Sequence, residues 1–342
     1  RVFREGKEIH DCVIRNKLES LSVGNTLINM YSKCGCVKDA RCVFDNITQP
    51  DIVTWSAMIA GYGEHKCADE SFKLFLVMET RCVYMNEVTF LNLLKSCISS
   101  EYLDKARVIH GHITKRALTL GGCFLENTLI DVYTKVGGID DARRVFDMLL
   151  SYNLVTWNAM ISGYAHHSMG QEAFKLFQRM QDRGMDPDKF TYASVLKASS
   201  SMLALDQGKI VHDQVIQSGF QVDLYLWSSL IDMYVKCGRY EDAQSLLQGI
   251  CGDDTITWNA MIAGCAQNSD YNQALHWFNK MRYIQCKMDD ATYIGLLSAC
   301  GHGGCVEEGF SHFNTMGHDD INPTVGHYNC LVDILGRVGC LN

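Results

Sequence analysis

Sixteen cysteines and twelve histidines are the residues with which this chain of 342 could most readily do chemistry. A structural metal site needs such ligands in closely spaced pairs, because one ion takes four of them from short segments. Cys34 and Cys36 form a C-x-C pair, and Cys300 and Cys305 lie on either side of His302, but no C-x-x-C occurs anywhere. Cys34 and Cys237 occupy one place in a repeated segment, as do Cys97 and Cys300, so packing at a fixed position accounts for them without a metal. Cysteines scattered through a large apolar-rich chain fit free thiols in a reducing compartment better than a disulfide framework. Nucleophilic catalysis finds no footing either: His166 and His167 are adjacent but lack a paired carboxylate or nucleophile motif. The run Gly301-His302-Gly303-Gly304 reads as a glycine-rich turn, without the lysine pattern or preceding strand of a phosphate-binding loop. Asn46-Ile47-Thr48 is a formal glycosylation sequon that matters only in a secreted protein. No catalytic residue, no metal and no cofactor is expected, and the chain is not expected to be an enzyme.

Composition narrows the remaining classes. Apolar residues make up 47% of the chain, enough for a full core. Lys and Arg number 31 against 39 Asp and Glu, a net charge of −8. That balance argues against coating nucleic acid or membrane by charge alone, while leaving room for a local basic stripe. Only 3 prolines occur, which suits helices joined by short glycine-containing turns better than a turn-rich sandwich or barrel. No apolar run approaches membrane-spanning length, and the opening RVFREGKEIH has no secretory core. The abrupt start and stop are those expected of a fragment.

The elements that would position any functional residue are announced by repetition. TWSAMIAGYG (from Thr54), TWNAMISGYA (from Thr156) and TWNAMIAGCA (from Thr257) place tryptophans at 55, 157 and 258. A second family runs NTLINMYSKCG, NTLIDVYTKVG, SSLIDMYVKCG and NCLVDILGRVG from Asn25, Asn127, Ser228 and Asn329. TFLNLLKSC, TYASVLKAS and TYIGLLSAC, from Thr89, Thr191 and Thr292, make a third. All three share one period of about one hundred residues, so three kinds of unit alternate. Within a unit, Met58, Ile59 and Tyr62 are followed by a polar turn at Glu64 to Lys66. A second amphipathic run follows at Ser71, Phe72, Leu74, Phe75 and Met78. Gly35 suits the end of a helix, and Val37, Ala40, Val43 and Phe44 resume helical spacing. Alanines at 40, 142, 243, 173 and 274 would let paired helices approach closely. Each unit is a helical hairpin too small to bury its own apolar faces, so neighbours must stack. An all-α solenoid of stacked helix-turn-helix repeats, winding as a superhelix, is expected.

These residues resemble the pentatricopeptide repeat proteins of plants, and the alternating lengths match the PLS subclass, in which units called P, L and S follow one another. The resemblance covers the whole chain. It implies S units at 21–51, 123–153 and 224–254, P units at 52–86, 154–188 and 255–289, and L units at 87–122, 189–223 and 290–324. Residues 1–20 would be the tail of an L unit, and 325–342 a partial S unit.

In that family a unit binds one nucleotide of single-stranded RNA, and its fifth and last residues choose the base. Asn25 with Asp51, Asn158 with Asp188 and Asn259 with Asp289 resemble pairs preferring U. Ser56 with Asn86 resembles a pair for A, Asn127 with Asn153 a pyrimidine pair, and Ser228 with Asp254 a pair for G. The L units depart from the code, with Leu91 and Gly122, Ala193 and Asp223, and Ile294 and Thr324. The implied site, 5′ to 3′, is U-A-N-Y-U-N-G-U-N. An Asn amide both donates and accepts and so can meet a pyrimidine edge, whereas ionised Asp only accepts. Reading single strands through a few side chains per repeat is an established mode.

The same register implies further contacts. Lys33, Lys135 and Lys236 at the thirteenth position of the S units, with Arg337 in the partial one, would neighbour the RNA backbone; the P units have Glu64, His166 and Gln267 there. Val53, Val88, Phe124, Val155, Phe190, Tyr225 and Ile256 at second positions resemble residues that sandwich bases, and Ser22 and Ala291 depart. Plainer roles stand beside these. The Asn and Asp residues can cap helices, the lysines can be solvated surface, and the second-position residues can be core. Trp55, Trp157 and Trp258 are expected in the core.

The resemblance therefore implies the targeting array of an organellar C-to-U RNA editing factor, in chloroplast or mitochondrion, with single-stranded RNA as partner and no membrane association. HYNCLVDILGRVG, from His327, resembles the S unit near the end of such arrays. Some relatives continue into a deaminase domain with paired zinc-binding cysteines, which this chain lacks. A solenoid that docks proteins is the alternative, and L units with Leu91, Ala193 and Ile294 resemble surfaces that dock accessory organellar proteins.

Overall fold

In the computed structural model, residues 2–16, 20–116, 118, 123–219, 224–249 and 255–338 are described. Among them are twenty α-helices and no strand. In order they are α1 (Val2–Arg15), α2 (Leu21–Lys33), α3 (Val37–Asn46), α4 (Ile52–Glu64), α5 (Ala68–Thr80), α6 (Glu87–Ser96) and α7 (Leu103–Lys115). Then come α8 (Cys123–Lys135), α9 (Ile139–Asp147), α10 (Leu154–His166), α11 (Gly170–Asp182), α12 (Lys189–Ser201), α13 (Leu205–Gln217) and α14 (Leu224–Lys236). The last are α15 (Tyr240–Gly249), α16 (Thr255–Gln267), α17 (Tyr271–Tyr283), α18 (Asp290–Gly303), α19 (Val306–Thr315) and α20 (Val325–Val338). None is long and apolar enough to cross a membrane.

The chain divides into two compact units, Arg1–Gly163 and Tyr164–Asn342. In the first, α2 packs on α4, α4 on α6 and α6 on α8. In the second, α12, α14, α16, α18 and α20 follow one another in the same way. Within each unit the first helices of successive hairpins thus form one layer, and each second helix backs its own partner. This is the repeat solenoid the periodicity predicts, because a hairpin buries its apolar stripe only against the next one.

Aromatic side chains key the layers together at periodic places. Phe44 meets Trp55 edge-on at 4.8 Å between ring centroids, and Phe146 meets Trp157 at 5.2 Å. Phe75 meets Phe90, Phe177 meets Tyr192 and Phe278 meets Tyr293 at 6.4, 6.1 and 5.3 Å. All three repeat tryptophans are buried, and Ala40, Ala142, Ala243, Ala173 and Ala274 are fully so. A third kind of junction is polar. The Nδ1 atoms of His10, His110 and His212 lie 2.8, 3.0 and 2.8 Å from the hydroxyls of Tyr31, Tyr133 and Tyr234. Burial holds the His110 and His212 pKa values below the ordinary imidazole range, so both favour the neutral ring.

Helix boundaries follow local chemistry. Pro50 and Pro187 immediately precede the capping residues Asp51 and Asp188, and Pro323 stands two residues before α20, where a proline stops the preceding segment from continuing as helix. Gly35, Gly137 and Gly238 take left-handed φ values of 78°, 86° and 73° at the expected helix ends. The Gly301–Gly304 run differs from expectation. Helix α18 continues through Gly303 and only Gly304 is left-handed. Here packing overrides propensity: a Cβ on Gly301 would sit 3.3 Å from Ile334 of α20, so the bare backbone fits where a side chain would crowd.

One turn recurs with different residues. Cys82, Gly184 and Gln285 occupy matching positions after α5, α11 and α17, with φ values of 52°, 70° and 59°. A side chain in that region costs about 1 kcal/mol relative to glycine. Cys82→Gly and Gln285→Gly are each expected to raise unfolding free energy by about 0.5–1 kcal/mol, measured by urea titration, while Gly184→Ala lowers it.

Candidate nucleic-acid interface

Asn259 with Asp289, Asn127 with Asn153 and Asn25 with Asp51 meet where one first helix abuts the next. Asp289 caps α18, accepting from the Thr292 backbone N–H at 3.0 Å. Asn259, on α16, donates from Nδ2 to Asp289 Oδ1 at 2.9 Å, and the Thr292 hydroxyl donates to Asn259 Oδ1 at 2.6 Å. The same arrangement stands around Asn127. Thr156 donates to Asn127 Oδ1 at 2.6 Å, and Asn127 Nδ2 reaches Asn153 Oδ1 at 3.4 Å. Ser56 lies 3.0 Å from the Thr89 hydroxyl, which is 2.9 Å from Asn86 Oδ1. Around Asn25 the geometry shifts. The Thr54 hydroxyl donates to Asp51 at 2.8 Å, and Asn25 Oδ1 is buried without a partner. The Thr54 backbone N–H, its hydroxyl and Asn25 together hold the Asp51 carboxyl below the ordinary carboxylate range despite some desolvation, so it stays ionised. Asp188 caps α12 and accepts from the Thr191 backbone N–H at 2.8 Å. Asn158 is half-buried on α10 and Ser228 half-buried on α14. Asp254, expected opposite Ser228, lies outside the described residues, as do Gly122 and Asp223. Capping and pairing thus coexist in one cluster.

Second-position residues do not fill the core. Val53, Val88, Phe124, Val155, Phe190, Tyr225 and Ile256 are 53–78% exposed, each beside a buried helix face. Phe190 and Tyr225 stand 6.1 Å apart, their ring planes 50° from parallel, and Lys189 lies 5.3 Å from the Phe190 ring. Tyr225 and Ile256 flank a groove of about 710 Å³ whose floor includes Ala193, Ser228 and Ala260 and whose rim carries Lys197, Asp232 and Lys236. Burial and the neighbouring Lys236 charge lower the Lys197 pKa, so a second positive charge is already felt there. Leu91 and Ile294 are half-buried and Ala193 is buried, leaving little free surface at these three positions.

The expected backbone cations are less available than a count suggests. Lys135 Nζ pairs with Asp131 at 2.7 Å, Lys236 with Asp232 at 2.9 Å, and Arg337 with Asp333 at 2.7 Å. Each acid stands four residues before its cation, a helical pairing the sequence already displays. Lys33 is exposed on α2, where Asn29 occupies that place. A partnered lysine still donates hydrogen bonds, but the stripe carries less net positive charge than three free cations would.

Among the described residues the cysteines are free thiols. Cys97 and Cys300 are buried at one repeat position, and burial pushes the Cys265 and Cys300 thiols up to about 12, where no reactive thiolate forms at neutral pH. Among the described residues, no three His, Cys, Asp or Glu side chains gather to hold a metal. Sequence reasoning missed the threonines: Thr89, Thr156 and Thr292 join their pairs, and Thr54 and Thr191 bond the capping residue. Their signal was present: each stands three residues after the cap.

A family model described as the PPR repeat family matches residues 50–99, 152–200 and 253–302, and one described as PPR repeat matches 25–49, 127–154, 225–253 and 291–321. A pentatricopeptide repeat-containing protein of Arabidopsis thaliana is 37% identical over 338 residues, 98% of this chain and 46% of the relative. A putative mitochondrial one from the same plant is 35% identical over 99% of this chain and 54% of its own length, and a chloroplastic one 33% identical over 99% and 40%. The chain thus spans roughly half, or less, of these relatives. The crystal structure of the pentatricopeptide repeat protein PPR10 in complex with an 18-nt psaJ RNA element superposes with a TM-score of 0.72 at 19% identity, over 92% of this chain and 48% of that one. With matching repeats over well more than half its length and hairpins of the same fold, the chain belongs to the pentatricopeptide repeat family.

Proposed function

We propose that the chain binds single-stranded RNA, one base per repeat, as the targeting array of an organellar C-to-U RNA editing factor. The observation that carries this reading is the repeated cluster in which Asn or Ser on one helix meets the Asp or Asn capping the next, beside an exposed apolar side chain. A peptide-docking groove has no need of that pairing at a fixed interval. Asn25 with Asp51, Asn158 with Asp188 and Asn259 with Asp289 select U in this reading, and Ser56 with Asn86 selects A. Asn127 with Asn153 takes a pyrimidine, and Ser228 with Asp254 takes G. Lys33, Lys135 and Lys236 contact backbone, and the seven exposed second-position residues stack on bases. The solved neighbour was crystallised with RNA, and several relatives carry mitochondrial or chloroplastic names, which supports an organellar RNA partner. The chain contributes targeting and no catalysis, and accessory proteins dock beside Leu91, Ala193 and Ile294.

The test is binding to labelled UAAUUAGUA at about 0.15 M salt, with a base-scrambled control. Asn259→Thr, which makes a threonine–aspartate pair of the kind that resembles a G-reader, is compared on the same RNA and on UAAUUAGGA. The expected result is at least about tenfold preference for the cognate RNA, about 1.4 kcal/mol, moved towards G at the eighth base by the substitution. Equal, weak binding to every probe that vanishes as salt rises would replace this reading with the protein-docking one.

A further inference from the structure

We infer that Thr89, Thr156 and Thr292, three residues past their caps, are specificity-positioning residues: each orients the amide or hydroxyl that meets the base, and its backbone N–H fixes which half of the capping side chain faces away from the helix. The inference rests on the RNA-binding reading above. Its basis is the proton count at Thr292. The hydroxyl has one proton, and its oxygen already accepts the Asp289 backbone N–H at 3.1 Å. Asp289 Oδ1 is occupied by the Thr292 N–H and by Asn259 Nδ2. The hydroxyl lies 2.6 Å from Asn259 Oδ1 and 3.0 Å from Asp289 Oδ1, and the shorter contact, to the oxygen with no other donor, takes its one proton. The Asn259 amide cannot flip: its oxygen faces the threonine, one N–H faces the carboxylate, and neither neighbour uses the second N–H. That remaining donor suits a pyrimidine carbonyl.

The same clamp explains why Asp and Asn at the last position differ. Thr292 and Thr156 both engage Oδ1 of the capping residue through the backbone N–H, at 3.0 and 2.9 Å. The other half of the side chain is what remains for the base. In Asp289 it is a carboxylate oxygen, an acceptor; in Asn153 it is an amino group, a donor. Around Ser56, Thr89 lies 2.9 Å from Asn86 and 3.0 Å from the Ser56 hydroxyl. If it donates to Asn86, Ser56 donates to it and turns its own lone pairs elsewhere.

The distribution in the chain agrees. Threonine stands at positions 54, 89, 156, 191, 257 and 292, following every pair of Asn or Ser with Asp or Asn that resembles a code pair. It is replaced by Leu125, Leu226 and His327 after Leu91, Ala193 and Ile294, where there is no polar fifth side chain to orient. His327 instead bonds its own cap, Thr324, through Nδ1 at 3.0 Å.

The experiment pairs Thr292→Val, which keeps the shape and removes the hydroxyl, with Thr292→Ser, which restores it. Each is titrated with UAAUUAGUA variants bearing each base at position eight or at position five. Thr292→Val is expected to lose about tenfold of the U preference at base eight, keep its preference at base five, and be rescued by Ser. An RNA-free readout accompanies it. The Asn259 side-chain NH2 resonances, assigned by their loss in Asn259→Ser, are expected to move in Thr292→Val and hold in Thr292→Ser. Should Thr292→Val fold poorly, Thr156→Val read at base four takes its place. Unchanged discrimination in a valine variant, with the wild type still discriminating, overturns the inference alone. A wild type that discriminates nowhere overturns the RNA reading, and the inference falls with it even if the amide resonances respond.

Discussion

Leucine in place of Gly264 is expected to destabilise the second unit by about 3 kcal/mol or more, the upper end of what overpacking costs, read as a lower urea midpoint. Gly264 lies where α16 crosses α14, and a Cβ built there would stand 2.5 Å from Val235 Cγ1, a side chain that is itself fully buried. Gly61 meets Ser32 Oγ at 2.2 Å and Gly163 meets Thr134 Cγ2 at 2.3 Å in the same sense. One close approach therefore recurs at each such crossing, and no single side chain can move aside without disturbing its own neighbours. Alanine decides between sterics and backbone effects. Gly264→Ala gains about 1 kcal/mol of helix propensity and meets the clash, so a net loss shows that the clash wins. Adding Val235→Ala opens the space, and the double variant is expected to recover at least about 1 kcal/mol relative to additivity. An additive pair would mean the helices part freely, contrary to this packing. Because each hairpin is stable only against its neighbours, the loss should appear in the whole unit rather than as local fraying.

Much of this architecture was legible in the residues. Trp55, Trp157 and Trp258, the repeating alanines and the glycines at 35, 137 and 238 announce helix, close contact and turn at one period, and the structure places them so. Two features were not legible, for different reasons. The histidine–tyrosine junctions join residues 21, 23 and 22 positions apart, because the segment between them varies in length, so no fixed spacing betrays them. The second-position residues failed in the opposite way. Val53, Val155 and Ile256 are apolar and directly precede buried Thr54, Thr156 and Thr257, so composition alone suits core as well as surface. Only the helix layer shows that they face outward. For the candidate site, residue types and register were visible, but the hydrogen-bond directions that turn an Asn and an Asp into a reader were not. Those directions need two helices in contact, which no single segment encodes.

Removing both rings of the pair Phe190 and Tyr225 is expected to weaken RNA binding by about 30- to 1000-fold, about 2–4 kcal/mol, since each stacked base is worth about 1–3 kcal/mol and the two rings share a neighbourhood. They lie 6.1 Å apart on successive first helices and are 53% and 56% exposed. Exposed apolar rings that persist on an acidic surface, beside Lys189 and at the edge of the Tyr225–Ile256 groove, gain most from an aromatic partner laid across them. The variant Phe190→Ala with Tyr225→Ala should leave stability within about 0.5 kcal/mol, as surface changes usually do. Trp157→Ala, a change of similar size in the core, should cost about 3–5 kcal/mol. That contrast separates a lost contact from a lost fold. Salt gives the second discrimination. Neither substitution removes a charge, so the slope of log Kd against log salt should be unchanged while the intercept rises. Binding that is indifferent to both rings, with the salt slope intact, would mean the RNA is held by Lys33, Lys135, Lys236 and their neighbours alone. Base selection by the paired side chains would then lose its physical basis, because a base that is not held flat against a ring cannot present its edge at a fixed distance to Asn or Ser.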